Sequence, residues 1–405
     1  MTESTEFLIV GAGIIGLTVA RELRRRHPQS RVVVLEKELR VGCHASGRNS
    51  GVLHTGVYYA PGTLKARFCA EGARRMLAFA REHGVDHRVG GKVILAVGQE
   101  DQAGLERLAA NAKANGIRAT RLTPKAVREI EPNAAPGEGL HCPDTAVIDP
   151  PGVMRALGRG VEAAGVSVFF GEDVAEREGS TVRTRSGKTF RFERLINCAG
   201  AHADRVARLF GLSQDHELVP FKGLYWKIRP ERKGLVRESL YPVPDLSFPF
   251  LGVHLTRGVF GDVYAGPTAI PALGRENYGP LEGVTLREGG QTLWRLGRLF
   301  FGRDPAFRAL VGREVSHYTR GGFLKAARRL VPALTGDDLT PAHKVGLRPQ
   351  LVRRSDHRLE MDFHLEKGPD SLHVLNAISP AFTCSFSFAE FIVDQLDAPV
   401  PAVSA

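Results

Sequence analysis

Three glycines near the start of the chain have the spacing of a phosphate-binding turn. Gly11, Gly13 and Gly16 follow the apolar segment 7–10 and precede a segment with helical apolar spacing. The first two glycines permit a tight turn and the close approach of a pyrophosphate, and the third lets the helix pack on the strand. Unpaired N–H groups at the helix N-terminus attract phosphate. This order of strand, turn and helix predicts a dinucleotide-binding site.

An acidic residue ends the next apolar segment, residues 32–35. Glu36 stands about 20 residues after Gly16, where a carboxylate accepts hydrogen bonds from a ribose 2′-hydroxyl and repels a 2′-phosphate. Residues 44–54 then read HASGRNSGVLH. A plain nicotinamide-binding unit does not need this segment, so we expect it to decide which dinucleotide is bound.

The composition is that of a soluble globular protein. The chain has 405 residues, of which 43% are hydrophobic and 24% charged, and this length favours two domains. No apolar run approaches the about 18–20 residues of a membrane span. The first residues lack the basic segment of a secretory signal. We therefore expect a cytoplasmic protein and leave open a peripheral contact with the inner face of the membrane.

The cysteines and histidines show no ligand spacing. The five cysteines are scattered without a C-x-x-C pair, and the 14 histidines lie near no cysteine pair. This pattern predicts reduced thiols and no metal. The net charge of +11 fits a solvated basic surface, attraction of an anionic substrate or contact with an anionic membrane. Because no nucleic-acid-binding module is recognisable, we expect no nucleic-acid partner.

The elements that must position these residues alternate between helix and strand. Residues 1–36 predict a β-α-β unit, residues 194–200 a buried strand with a small-residue turn, and residues 218–269 a strand-rich region. Residues 287–330 predict basic helices with interleaved aromatics, which suit either a core or a membrane surface. We predict an α/β fold in which a Rossmann-like nucleotide-binding domain interleaves with an α+β, antiparallel-sheet substrate domain. The predicted divisions are 1–90, 150–215 and 345–397 for the first domain, 91–149 and 216–344 for the second, and 398–405 for a flexible tail.

Three separated blocks resemble one family. The glycine fingerprint, the turn Asn197-Cys198-Ala199-Gly200 and the block Gly346-Leu347-Arg348-Pro349 resemble the FAD-dependent D-amino-acid oxidase superfamily. Within it, residues 49–59 (NSGVLHTGVYY), 61–69 (PGTLKARFC), 248–256 (FPFLGVHLT) and 373–383 (HVLNAISPAFT) resemble L-2-hydroxyglutarate dehydrogenases and oxidases. The resemblance spans residues 6 to 396 and is weakest at 100–140 and 270–335. Arg48 and Phe382 depart from the residues common in this family.

The resemblance implies FAD as the cofactor and oxidation of L-2-hydroxyglutarate to 2-oxoglutarate. A hydride would pass from Cα to the flavin while a base takes the hydroxyl proton. Arg348 would bind the α-carboxylate, because arginine offers a forked cation. The candidates for the distal carboxylate are Lys222, Arg257 and Lys344, those for the base are His54 and His254, and those for further hydrogen-bond donors are Tyr58, Tyr59 and Tyr225.

Cofactor contacts are expected in the fingerprint, after the second strand and near the C-terminal helix. That helix N-terminus would favour the negative charge of a reduced flavin. The predicted contact residues are Gly11, Gly13, Ile14, Ile15, Gly16, Glu36, Lys37, His44, Ser46, Arg48, Asn49, Ser50, Gly51, Val174, Ala199, Gly200, Ser379, Ala381, Phe382 and Thr383.

Alternatives remain open at this point. The electron acceptor is oxygen or a quinone. A glycine- or sarcosine-type amine oxidase would use Arg348 without needing a second cation. A flavin-containing binding or nucleic-acid-modification module is suggested by the charge alone, and His44 stands where related amine dehydrogenases attach flavin covalently.

Overall fold

The strands form three sheets in the computed structural model, which describes residues 2–246, 251–301, 308, 312 and 319–398. The strands are β1 Thr2–Val10, β2 Val32–Glu36, β3 Val52–Leu53, β4 His87–Val89, β5 Val93–Ala96, β6 Thr120–Leu122, β7 Glu138–His141, β8 Ala146–Ile148, β9 Ser167–Phe170, β10 Val174–Glu178, β11 Thr181–Thr184, β12 Thr189–Asn197, β13 His216–Ile228, β14 Leu240–Pro242, β15 His254–Arg257, β16 Val263–Gly266, β17 Ile270–Pro271, β18 Leu339–Arg353, β19 His364–Lys367 and β20 Ser371–Asn376. The helices are α1 Ile14–Arg26, α2 Leu64–Glu82, α3 Gln102–Ala114, α4 Pro124–Ile130, α5 Pro150–Ala163, α6 Ala203–Arg208, α7 Leu286–Phe301, α8 Arg320–Leu330 and α9 Ala381–Asp397.

The first sheet is parallel at its centre. Its strands run in the order β9-β2-β1-β12-β20, and β10, β11 and β19 add antiparallel pairs. The chain moves from β1 to β2 and β9 on one side and returns to β12 and β20 on the other. Ligands in such sheets bind where this direction reverses, at the carboxyl ends of the strands. Val10 and Asn197 are paired at that reversal, so the residues that follow them face a crevice.

Apolar side chains cover both faces of this sheet. All five residues of β2 are buried, as expected for a central parallel strand. One face packs against α1, α2, α5 and α9. The other face packs with apolar residues of β10, β11 and β12. The α/β class predicted from the sequence is confirmed.

The second sheet is mainly antiparallel and carries the other half of the cavity. Its strands run β17-β13-β16-β15-β14-β5-β7-β6, with β18 paired to β13. A small third sheet joins β3, β8 and β4. The sequence division at residue 345 cuts through β18. This strand belongs to the second sheet because it pairs with β13 from Leu339 to Arg353.

The basic region 287–330 contains two described helices, α7 and α8. Phe323, Ala327 and Leu330 of α8 are buried against the second sheet. The predicted helical region also includes residues 302–307, 309–311 and 313–318, which lie outside the described residues. None of the described helices combines the length and apolar character that crossing a membrane requires.

Candidate active site

One continuous cavity lies between the first and second sheets. Gly11, Glu36 and Ala199 line it from the crevice of the first sheet, and His254 and Arg348 line it from the second. The fingerprint and the candidate substrate residues, which are far apart in sequence, therefore face the same space. The site can bring a dinucleotide and a small anionic molecule together.

The glycine turn is built so that only backbone faces the crevice. Gly11 has a φ of +104°, and a Cβ atom there would lie 2.6 Å from the Cys198 carbonyl oxygen. A Cβ on Gly16 would overlap the Gly11 carbonyl oxygen, and one on Gly13 would lie 3.1 Å from Ser46 Oγ. These contacts fit a cradle in which a pyrophosphate lies against main chain.

Two side chains hold the start of α1 in place. Glu36 accepts hydrogen bonds from Ala12 N at 2.7 Å and from Glu38 N at 2.9 Å, one on each carboxylate oxygen. Each oxygen retains a lone pair for a ribose hydroxyl. Ser46 Oγ accepts from Ile14 N at 2.9 Å. Gly13, the N-cap residue, has no side-chain cap, so this end of α1 is suited to an anion.

A segment that we call the strap, residues 275–279, connects the residues that follow β2 with those that follow β12, on either side of the crevice. Arg275 donates to buried Asp204, which follows β12. Glu276 Oε1 lies 2.7 Å from Lys37 Nζ and 2.8 Å from His202 Nε2. These ion pairs fasten the strap to the residues after β2 and after β12.

Tyr278 completes the strap. Its hydroxyl lies 2.8 Å from His44 Nδ1, and the Arg48 guanidinium stacks 4.1 Å from its ring centroid. His44 Nε2 lies 2.9 Å from Glu38 Oε1, so both ring nitrogens of His44 have protein partners. Sequence reasoning missed Arg275, Glu276 and Tyr278, which fall in the stretch of weakest resemblance.

The two candidate base histidines both line the cavity. His254 Nδ1 lies 2.9 Å from the Gly252 carbonyl oxygen. Because a carbonyl only accepts, Nδ1 carries the proton and Nε2 keeps a lone pair. Burial lowers the pKa of His254 to about 3, against the Gly252 hydrogen bond and with help from the charges of Lys92 and Arg348. Burial, with Lys92, His254 and Arg348, also holds the pKa of His54 well below its usual value. Both rings are neutral near pH 7.

The cations at this end of the cavity are placed by strand pairing. Arg348 on β18 is in register with Phe221 on β13, and Lys222 follows immediately. Lys222 Nζ donates to the Gly279 carbonyl at 2.7 Å, and burial lowers its pKa. Tyr225, on the same strand, also lines the cavity, and burial raises its pKa to about 12. It therefore remains a hydrogen-bond donor near pH 7.

Some predicted substrate residues lie outside the cavity lining. Arg257 Nη1 donates to the Val236 carbonyl at 3.1 Å, and the Lys344 ammonium lies over the rings of Tyr225 and Tyr264. Neither Arg257 nor Lys344 is among the residues that line the cavity, and their assignment to the distal carboxylate stays a prediction. Tyr58 and Tyr59 are also outside the lining, with Tyr58 edge-on to His54 at a ring distance of 6.4 Å.

Most predicted cofactor residues do line the cavity. Gly16 and Gly51 do not; they shape the backbone, since a Cβ on Gly51 would meet the Ile148 carbonyl oxygen. The other lining residues among those predicted are Ile14, Ile15, Lys37, His44, Ser46, Arg48, Asn49, Ser50, Val174, Ala199, Gly200, Ser379, Ala381, Phe382 and Thr383. The strands and helices that carry them converge from both ends of the chain.

Groups with metal-ligand chemistry also occur within the described residues. Two clusters bring three candidate ligand atoms within 4.8 Å of one another: Glu38, His44 and Glu276, and His216, His364 and Glu366. The first cluster is part of the strap network. The sequence-based expectation of no metal stays a prediction.

Comparisons with known proteins agree over nearly the whole chain. The family model for FAD-dependent oxidoreductases matches residues 6–395. The L-2-hydroxyglutarate dehydrogenase of Escherichia coli K12 is 34% identical, with 96% of this chain and 93% of that protein aligned. The protein of the same name from Indibacter alkaliphilus is 36% identical, with 94% and 96% aligned.

Solved structures share the architecture at lower identity. The FAD-bound L-alpha-glycerophosphate oxidase of Mycoplasma pneumoniae aligns with a TM-score of 0.78 at 21% identity, covering 98% of this chain and 96% of that one. Glycine oxidase from Geobacillus kaustophilus aligns with a TM-score of 0.72 at 19% identity, covering 99% and 96%. These likenesses establish the fold.

Proposed function

We propose that this chain, which belongs to the FAD-dependent oxidoreductase family, oxidises L-2-hydroxyglutarate to 2-oxoglutarate. The observation that carries the proposal is the single cavity that joins the glycine crevice to Arg348, Lys222 and two neutral histidines. The relatives named L-2-hydroxyglutarate dehydrogenase, aligned over nearly their full length, support the choice of substrate.

The crevice residues fit FAD. Gly11, Gly13 and the first turn of α1 would hold the pyrophosphate, and Glu36 would hold a ribose. The first turn of α9 lines the cavity, and its helix dipole favours negative charge there. When bound, FAD supplies a two-electron acceptor for the hydride that leaves the substrate's Cα.

The substrate is a dianion, so its binding calls for two cations. Arg348 would hold the α-carboxylate through a forked pair of hydrogen bonds. Lys222, which pairs with Leu347 next to Arg348 and also lines the cavity, would hold the distal carboxylate. Tyr225 is protonated and would donate to a carboxylate or hydroxyl oxygen.

We assign the base to His254. Its Nδ1–H is engaged by the Gly252 carbonyl, which leaves Nε2 as the nitrogen that accepts the substrate's hydroxyl proton. His54 lines the same cavity as a second neutral imidazole. The bound carboxylates offset Arg348 and so raise the basicity of both rings.

The direct test is anaerobic mixing of the FAD-loaded protein with L-2-hydroxyglutarate, its D-enantiomer, sarcosine and glycine. Bleaching of the flavin's visible absorbance with the L-acid alone supports the proposal. Bleaching with only the amines would replace it with an amine oxidase. If all four compounds leave the flavin oxidised, the substrate assignment fails while the fold stands.

The exposed face of α7 supports contact with a membrane and hence a quinone acceptor. Leu286, Trp294 and Phe301 are 98%, 60% and 85% exposed, and their spacing places them on one side of the helix. The Arg298 guanidinium lies 4.8 Å from the Trp294 ring. Aromatic side chains beside arginine suit the headgroup region of an anionic bilayer. Oxygen is the competing acceptor.

Sedimentation with lipid vesicles tests this contact. Binding to phosphatidylglycerol vesicles, weakened by Trp294→Glu, is the expected result. Val89→Glu is the matched control, because Val89 is an exposed apolar residue on β4 of the third sheet. If the Trp294→Glu protein sediments with the vesicles as well as the parent protein does, this face of α7 is not the membrane-binding surface.

A further inference from the structure

A buried lysine lies behind the cavity with no hydrogen-bonding partner among the residues that the structure describes. Lys92, next to β5, is 0% exposed, and its Nζ makes no hydrogen bond within the described residues. Its backbone is fixed by bonds with Cys142, N to O at 3.1 Å and O to N at 2.9 Å. An unpaired buried ammonium is costly, so its retention at this place requires a reason.

Lys92 contacts both rings that pack against the histidines. Its Nζ lies 4.3 Å from the Tyr58 ring centroid and 5.3 Å from that of Tyr241. Tyr241 stacks on His254 at 3.9 Å with an interplanar angle of 14°. Tyr58 meets His54 edge-on at 6.4 Å. One ammonium therefore supports both tyrosine–histidine pairs by cation–π contacts.

Other polar atoms in this region also lack partners in the described structure. They are the hydroxyls of Tyr58 and Tyr241 and His54 Nδ1. Buried polar groups are normally hydrogen-bonded, and enclosed water supplies partners where protein atoms do not. The Lys92 ammonium therefore belongs to a group of buried polar atoms behind the histidines that have no hydrogen-bond partner among the described residues.

We propose that Lys92 is a positioning residue of this site, whose ammonium orients the Tyr58 and Tyr241 rings against His54 and His254 and places a positive charge behind both histidines. The proposal rests on the proposed function only in taking a histidine as the acceptor of the substrate's proton.

The positive charges around the two histidines all disfavour protonation of their rings. His54 faces Lys92, His254 and Arg348, and His254 faces Lys92 and Arg348. Burial lowers the pKa of Lys92, and the thiols of Cys142 and Cys69 act against that lowering. Removing the Lys92 charge therefore leaves less opposition to histidine protonation, and the pKa of both histidines rises.

Lys92→Met removes the charge and keeps most of the apolar stem. In the FAD-loaded protein labelled with ¹⁵N-histidine, we expect at least one of the two rings to titrate with its midpoint raised by about one unit or more. The acidic limb of kcat/KM should move to higher pH by a similar amount. His54→Gln and His254→Gln assign the resonances.

Lys65→Met is the matched control. Lys65 is also buried beside a tyrosine ring, but its Nζ donates to the Met361 carbonyl. We expect this change to leave both histidine titrations where they are. Should Lys92→Met fail to retain FAD, Lys92→Gln removes the same charge and keeps a polar end.

Histidine titrations that are unchanged in the Lys92 variant across the folded pH range would overturn the proposal. The same holds if Lys65→Met shifts them equally. Because the resonances need no turnover, a shifted titration in a protein that fails to oxidise L-2-hydroxyglutarate would reject the proposed function and retain the role of Lys92.

Discussion

Arg348 is the residue on which substrate binding depends most. It reaches the cavity because β18 pairs with β13, and losing a charged hydrogen-bond partner costs about 1.5–3 kcal/mol. We expect Arg348→Ala to raise the KM for L-2-hydroxyglutarate about tenfold or more, measured by steady-state kinetics in excess FAD.

Arg118→Ala provides the comparison for Arg348, since Arg118 forms an exposed ion pair with Asp144. It should leave KM unchanged. A KM within twofold of the parent (about 0.4 kcal/mol) in Arg348→Ala would remove this arginine from the site.

Buried neutral histidines should make the fold sensitive to mild acid. The pKa is lowered to about 3 for His254 and about 4 for His373 by burial, and lies well below its usual value for His54. In the unfolded chain they take up protons below about pH 6.5. Stability is therefore fully present above that pH and is lost as the pH falls towards the folded-state pKa values.

Between about pH 7.5 and about pH 5.5 each such histidine should lower the free energy of unfolding by about 1.4 kcal/mol. Urea unfolding of FAD-saturated His254→Gln should show a pH-dependent loss smaller by that amount, whereas His83→Gln, at a more exposed position, should match the parent. Identical losses in all three proteins would contradict the burial of a neutral His254.

Residue type and spacing predicted some of the site and not the rest. Gly11 and Arg348 belong to blocks whose chemistry is readable from sequence. In the sequence, Lys92 looks like any lysine beside a strand. Only the fold shows that its ammonium has no hydrogen-bond partner among the described residues and lies against the rings of Tyr58 and Tyr241. The contact of Arg257 is equally hidden in the sequence, since only the fold shows that its guanidinium donates to the Val236 carbonyl.

At the scale of elements, the strap should control how firmly FAD is retained. Glu276 joins Lys37 and His202 across the crevice, and these contacts lower the pKa of its carboxyl, first through the hydrogen bond from His202. Glu276→Gln removes the charge and keeps the shape. We expect FAD to dissociate at least fivefold faster, about 1 kcal/mol, as followed by the rise in free-flavin fluorescence.

Glu282→Gln tests whether any charge in this region would have the same effect. Glu282 is exposed and close to the strap, and its replacement should leave the dissociation rate near that of the parent. Equal acceleration in both variants would mean that the surrounding charge, rather than the Glu276 contacts, retains the cofactor.

Sequence reasoning identified local elements better than their partners. The β-α-β unit predicted for residues 1–36 corresponds to β1, α1 and β2, and the buried strand predicted from residue 194 corresponds to the end of β12, because these signals are local. The predicted domain boundary at residue 345 falls within β18. The sheet to which this strand belongs is decided by its pairing with β13, more than a hundred residues earlier. The strap has no periodicity at all and is defined only by the ion pairs that fasten it.

At the scale of the molecule, the cavity lined by Arg348 and Lys222 lies within a chain of net charge +11. Such a field should attract a dianionic substrate and accelerate encounter. The Debye length shortens from about 30 Å at 0.01 M salt to about 8 Å at 0.15 M. We expect kcat/KM for L-2-hydroxyglutarate to fall severalfold over this range while kcat changes little, because screening acts on association before chemistry.

Varying the charge of the substrate distinguishes electrostatic attraction of the substrate from a general effect of salt on the enzyme. A monoester of L-2-hydroxyglutarate carries one negative charge, so its kcat/KM should fall with about half the logarithmic slope seen for the diacid. Lys222→Met should flatten the slope for the diacid towards that of the monoester, since Lys222 is the cation assigned to the distal carboxylate. Equal slopes for diacid and monoester would show that salt acts on the protein itself, and the basic surface would then have no part in substrate capture.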